Sequence, residues 1–229
     1  MNSIKKVLVI GAHGQIGQIL SKKLADSERY EPTAFIRKES QKSTFDKMNV
    51  GCLVGDLEDK VSNLSNQFSG FDCIIFAAGS GGSTGPEKTL AIDLDGAVRC
   101  MEAAEASGAK RFIMVSASHS DDREFWDDAE MKPYYIAKHY ADEMLRHSEL
   151  DYTILRPVQL TNDSGTSKIM ASLRAGDVNK EITREDVAEV ILKVIDMESS
   201  IGKSIELSSG SDSIENALQS ILESSAVNA

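Results

Sequence analysis

Lys6-Val-Leu-Val-Ile-Gly-Ala-His-Gly-Gln-Ile-Gly17 decides how the rest of the chain is read. Four apolar residues, Val7 to Ile10, run straight into Gly11-Ala12-His13-Gly14-Gln15-Ile16-Gly17, and Gln15–Asp26 then carries the period of an amphipathic helix. Between a strand and a helix, glycines have a physical use. They let the turn tighten, let backbone N–H groups approach a pyrophosphate, and leave that anion at the positive end of the helix. The spacing is G-x-x-G-x-x-G and not G-x-G-x-x-G, so on this motif alone other nucleotide-like ligands stay open.

Outward from this stretch the same unit recurs. Thr33–Arg37, Gly51–Val54, Cys73–Ala77, Arg111–Ser116, Tyr152–Arg156 and Ser204–Ser208 read as further strands, separated by amphipathic segments such as Lys88–Ser107, Pro133–His147 and Arg184–Met197. Parallel neighbours need long crossovers, and strands covered on both faces lose polar alternation, as Cys73-Ile-Ile-Phe-Ala-Ala78 does. The fold class is α/β: a doubly wound, mostly parallel Rossmann-type sheet in one domain over residues 1–229. Residues 157–182 and 208–229 are expected to form a small substrate-side region. Within it Thr161–Lys180 is weakly patterned, with Gly165 and Gly176, while Ile214, Leu218, Ile221 and Leu222 repeat at helical spacing and predict a docked final helix.

Composition narrows the function. With 25 Lys+Arg against 36 Asp+Glu, the net charge of −11 repels phosphate backbones and anionic surfaces, which argues against nucleic acid. No apolar run approaches the roughly 18 residues of a membrane helix, and Val7–Ile10 is too short for a signal-peptide core, so a cytoplasmic protein with no membrane partner is expected. Cys52, Cys73 and Cys100 are odd in number and widely spaced, which suggests buried thiols and neither disulfides nor a metal site. A homo-oligomer is left open. Ser116–Met131 holds six acidic residues, Asp121, Asp122, Glu124, Asp127, Asp128 and Glu130, and reads as a solvated loop at a strand end, where function often resides.

The second strand ends in Arg37-Lys38. Dinucleotide folds that prefer NAD place an acid there for the ribose hydroxyls. A cation pair would instead hold a 2′-phosphate, Arg by a bidentate fork, so NADP(H) is favoured over NAD(H). His13 could lie near the adenosine phosphate. Asp56-Leu57 and Ala77-Ala78-Gly79 follow strands three and four, where carboxyl ends form the ligand crevice and small residues admit a flat ring or ribose. Both are equally compatible with ordinary turns.

Tyr134-Tyr-Ile-Ala-Lys138 sets a phenol and an amine four residues apart, on one face of a helix. The ammonium is expected to lower the phenol from its usual value of about 10, so that it exchanges protons with a carbonyl or alcohol oxygen. Ser116 and Ser118, alternating about Ala117, could orient that same oxygen.

Taken together in this order, these features resemble the short-chain dehydrogenase/reductase superfamily, and more closely its short atypical branch of NAD(P)H-binding proteins termed sugar-epimerase-like or NmrA-like. The resemblance spans nearly the whole chain, through Ala78-Gly-Ser-Gly-Gly-Ser-Thr-Gly85, Asp93-Leu-Asp-Gly-Ala97, Tyr152-Thr-Ile-Leu-Arg-Pro157 and Arg184-Glu-Asp-Val-Ala188. It implies an acid/base Tyr134, a ribose-holding Lys138, a polarising Ser118 or Ser116, and Pro157 and Val158 against the nicotinamide. Asp93 departs from the asparagine common in extended members. The chain is also much shorter than true sugar-nucleotide epimerases, so most of their C-terminal substrate domain is expected to be missing. Two functions follow: an NADP-dependent oxidoreductase acting on a small carbonyl or alcohol, or a non-catalytic NADP(H)-binding redox sensor.

Overall fold

All seven apolar runs are strands: β1 (Lys5–Ile10), β2 (Tyr30–Ile36), β3 (Gly51–Val54), β4 (Cys73–Phe76), β5 (Arg111–Val115), β6 (Asp151–Pro157) and β10 (Lys203–Ser209). The computed structural model describes residues 4–81, 84–127, 131–174 and 178–226. Gly82, Ser83, Asp128, Glu130 and Gly176 of the sequence reading lie outside the described residues. In the main sheet the order β3-β2-β1-β4-β5-β6-β10 is parallel throughout, and β8 (Lys168–Ser172) and β11 (Asp212–Ser213) extend it antiparallel beyond β10. The order reverses between β1 and β4, which opens a crevice at their carboxyl ends.

Alternation along β1 shows how both faces are filled. Val7 and Val9 point into one apolar layer, covered by α1 (Gln15–Ala25), α8 (Arg184–Val194) and α9 (Ile214–Ala226). Leu8 and Ile10 point into the other, under α3 (Val61–Phe68), α5 (Ala97–Ser107) and α7 (Lys132–Arg146). Burying each such side chain stabilises the fold by roughly 1.5–3 kcal/mol. The expected final helix docks through Ile214, Leu218 and Leu222. Cys73 and Cys100 are buried and Cys52 is half-buried. No described helix is long and apolar enough to cross a membrane.

Two segments depart from the sequence reading. The weakly patterned stretch contains β8 and is bracketed by the strands of a separate two-stranded parallel sheet, β7 (Gln159–Thr161) with β9 (Glu181–Thr183). These strands are too short to establish a period of two. The acidic stretch is not simply a solvated loop either. Arg123–Asp127 forms a short helix, α6, that buries Trp126, whose indole donates to the His119 carbonyl at 2.6 Å.

Charge ties this segment to α7. Fully buried Asp142 takes Arg156 Nε at 2.9 Å, Arg156 Nη2 at 2.7 Å and the Ser120 hydroxyl at 3.0 Å. Arg156 Nη1 also pairs with Asp121 at 2.7 Å. Burial pushes the Asp142 carboxyl up, and Arg156, Ser116 and Ser120 only partly offset that. Replacing Arg156 by Met therefore strands a buried carboxylate and should cost about 3–5 kcal/mol, a fall in Tm of at least roughly 6 °C. A carboxyl raised above its unfolded value destabilises once ionised, so the deficit should shrink as pH falls and Asp142 protonates. Melting both proteins at pH 8 and pH 5.5 checks this. An equal deficit at both pH values would count against the assignment.

Candidate functional site

At the β1 and β4 ends two adjoining cavities make one cleft, sharing Gly14, Ala78, Gly79, Ser80 and Thr84. The glycine loop forms its floor. Gly11 has φ of +79°, and a Cβ there would lie 2.5 Å from the Ala78 nitrogen, so the loops after β1 and β4 touch backbone to backbone. A Cβ on Gly17 would sit 2.4 Å from the Gly11 carbonyl oxygen, which lets α1 start directly against the turn. Gly14 differs. Its φ of −70° suits any residue, and a Cβ would meet only the Gly11 oxygen, at 3.1 Å, before opening onto the cleft. Among the described residues no side chain caps α1. Its first N–H groups are left for an anion, which fits a pyrophosphate.

One cavity, of about 610 Å³, runs toward the β2 end and is lined by Gly11, His13, Arg37, Asp56 and Leu57. Gln41 lines it too, and its Oε1 accepts the backbone N–H groups of Arg37 and Lys38, both at 3.0 Å. Lys38 itself does not line the cavity. Lys88 does, paired with Glu58. Sequence reasoning missed Gln41 and Lys88 because neither belongs to a motif.

The other cavity, of about 570 Å³, brings together Gln15, Ile16, Ala77, Ser116, Tyr134 and Lys138. Pro157 and Val158 lie outside its lining; Val158 N–H donates to the Leu207 carbonyl at 3.1 Å. Of the two serines, Ser116 reaches the cavity. Its buried Oγ makes no hydrogen bond of good geometry, although the hydroxyl does favour the charged form of Asp142. Ser118 is buried away from the cavity, near Glu206, whose carboxylate its hydroxyl favours. Alternation along extended backbone does not hold here because the chain leaves the strand at Val115.

Lys138 is 3% exposed, and a buried ammonium needs partners. Its Nζ donates to the Val115 carbonyl at 3.2 Å and lies 3.5 Å from Asp93 Oδ1. Asp93, 1% exposed, sits on a π-helical stretch, Thr89–Gly96, that runs into α5. Its other oxygen accepts the Ser80 N–H at 2.9 Å. Burial pulls Lys138 down, but Tyr134, Asp93 and Asp142 outweigh it and leave the amine above its usual value. For Tyr134 the expected direction is reversed. Burial is the largest effect and, with Asp93 and Asp142, raises the phenol above its usual value against the opposing charge of Lys138. The site therefore holds a protonated phenol beside a protonated amine.

Known proteins resemble this chain along most of its length. A family model described as NAD(P)H-binding matches residues 11–198. The Bacillus subtilis protein named "uncharacterized sugar epimerase YhfK" is 43% identical over 217 residues, covering 94% of this chain and 100% of its own. The crystal structure of the oxidoreductase ylbE from Lactococcus lactis is similar with a TM-score of 0.84 and 35% identity, over 95% of this chain and 97% of that one. A short-chain dehydrogenase/reductase from Veillonella parvula in complex with NADP shares the fold, with a TM-score of 0.73 at 21% identity over 90% and 95% of the two chains.

Gly17 and Gly14 should separate by experiment. Gly17→Ala drives a methyl into backbone and should cost on the order of 1–3 kcal/mol of stability. Gly14→Val should keep the melting temperature yet lose the upward shift that NAD(P)H produces in the unmutated protein. Thermal melts with and without dinucleotide test both, and a retained shift in Gly14→Val would remove the loop from the phosphate site.

Proposed function

This chain belongs to the NAD(P)H-binding family, and on that premise we propose that it is an NADP-dependent oxidoreductase of the atypical short-chain dehydrogenase/reductase type, interconverting a small carbonyl compound and its alcohol. The observation that carries the reading is the meeting of Tyr134, Lys138 and Ser116 in one cavity that continues into the glycine-floored cleft. Gly11, Gly14 and the start of α1 would hold the pyrophosphate, and Arg37 the 2′-phosphate. When bound, NADP(H) supplies or accepts the hydride.

The remaining chemistry belongs to the chain. In reduction Tyr134 gives its phenolic proton to the oxygen that becomes the alcohol, and in oxidation it takes that proton back. A phenol held above its usual value stays protonated at neutral pH, which suits the donor role. Lys138, kept charged by Asp93, stabilises the phenolate left behind. The Ser116 hydroxyl donates to the same substrate oxygen and fixes its position.

Two measurements test the reading. Tyr134→Phe should leave NADPH affinity nearly unchanged and lower turnover about 10²–10⁴-fold, followed as NADPH oxidation over a panel of aldehydes, ketones and quinones. If the panel is inert, or if the Phe variant keeps pace, the chain is a binding protein and the proton-donor role is lost. For the cofactor, NADPH should bind roughly ten- to a hundredfold more tightly than NADH, with Arg37→Ala erasing most of the difference. Equal titrations for the two dinucleotides in the unmutated protein would sink the NADP preference.

A further inference from the structure

Arg184 lines the same cavity as Tyr134, Lys138 and Ser116, and nothing in the chemistry above uses it. It follows β9 directly, and the parallel pairing of β7 with β9, Leu160 opposite Ile182, sets its backbone beside the cavity mouth. Thr183 caps α8 by accepting the Asp186 N–H, which fixes the turn on which Arg184 sits. The side chain is fixed as well. Its Nη1 donates to the Leu160 carbonyl at 3.2 Å and to Asn162 Oδ1 at 2.8 Å.

What this guanidinium lacks is an anion. Its acidic neighbours are engaged elsewhere: Glu185 with the Gly165 N–H and Lys23, and Asp186 with the Thr166 and Ser167 N–H groups and two threonine hydroxyls. Among the described residues no carboxylate pairs with Arg184 within 4 Å. The cavity's other charges among the described residues, Lys138 and Asp93, cancel as a pair. With Nη1 engaged, the Nε–H and Nη2–H edge of a part-buried, pre-positioned guanidinium is left as a fork of donors at a cavity whose other described charges cancel, with Met131, Pro133 and Leu160 supplying apolar wall. Such a fork matches a carboxylate.

We propose that Arg184 anchors a carboxylate of the substrate, so that the reactive carbonyl belongs to an oxo acid with an apolar body and not to a neutral aldehyde or ketone. The proposal rests on the reading of Tyr134 as proton donor, since that is where the carbonyl is placed. It makes Arg184 a specificity residue. Its charge positions the far end of the molecule while Tyr134 and Ser116 hold the reacting oxygen.

The test compares acids with their own esters. Binding of 4-carboxybenzaldehyde and of 4-methyl-2-oxopentanoate to protein saturated with NADP⁺ is measured by calorimetry beside binding of their methyl esters, and NADPH oxidation is followed for the same four compounds. At least one acid should bind roughly ten- to a hundredfold more tightly than its ester, a difference typical of a charge-assisted pair. Arg184→Met should bring that acid to within about twofold of its ester with NADPH affinity unchanged, and Arg184→Lys should keep part of the preference. Should the Met variant fail to fold, the acid–ester comparison in the unmutated protein and the Lys variant decide. Equal binding of both acids and their esters, or a preference that survives in Arg184→Met, overturns the proposal. So does an equal loss of NADPH affinity in that variant, which would give Arg184 to the cofactor's phosphates. Acid-selective binding without reduction of any compound would instead leave the anion site standing and overturn the oxidoreductase reading.

Discussion

A buried ammonium governs the geometry of this protein. Lys138 cannot sit inside the fold without a counter-charge and acceptors, and the two it finds come from different layers: the Val115 carbonyl from the end of β5, and Asp93 from the helix after β4. Satisfying one charge therefore locks α7 to the sheet and to its neighbouring helix at once. The π-helical stretch is the device that makes this reach work. Its extra residue per turn changes which side chains face inward, and here Asp93 faces both Lys138 and the Ser80 N–H. The loop after β4 is thereby tied to the buried charge of the Tyr134 cavity, and that same loop touches the glycine turn at Gly11.

Burial explains why the electrostatics differ from a simple pairwise reading. On an exposed helix an i, i+4 ammonium would pull a phenol down. Inside this cavity the loss of solvent acts on the phenolate more strongly than the ammonium does, and two carboxylates, Asp93 and Asp142, act in the same sense as burial. The same carboxylates push Lys138 up. The outcome is a phenol that retains its proton and an amine that retains its charge, which is the pairing a proton donor to a developing alkoxide requires.

Most of the frame was legible in sequence because its signals are local. Val7–Ile10 with the glycines after it, and Ile214, Leu218 and Leu222 on one helix face, each state their structure within a single window of chain. The site was legible only in outline. Tyr134 and Lys138 announce themselves by spacing, but the partner that charges the lysine lies 45 positions earlier, on a helix whose π turn leaves no mark in the pattern of residues. Choosing between Ser116 and Ser118 depends on where β5 stops, a boundary that hydrophobicity does not define. Gln41 holds the Arg37 backbone through an ordinary polar side chain in an ordinary polar loop. The strands β7 and β9, three residues each, gain their order from pairing across 22 positions of chain and have no period of their own.

Acidic clustering on the far side of α7 illustrates how the same residue types can carry a different meaning. Asp121, His139 and Glu143 bring ligand atoms within 4.8 Å of one another, a grouping that could suit a cation. Their lone pairs, however, already face partners within the chain. Asp121 takes His139 Nδ1 at 3.0 Å, Arg146 at 2.8 Å and Arg156 at 2.7 Å, while Glu143 pairs with Arg146. Burial alone would raise the Asp121 carboxyl; the two arginines outweigh it and hold it well below the usual carboxylate range. By linkage such a group stabilises the fold above its unfolded value and loses that contribution only as pH falls toward the folded one. The cluster is a brace between α7 and the segment that follows β5, both of which line the same cavity, through Tyr134 and Lys138 on one side and Ser116 on the other.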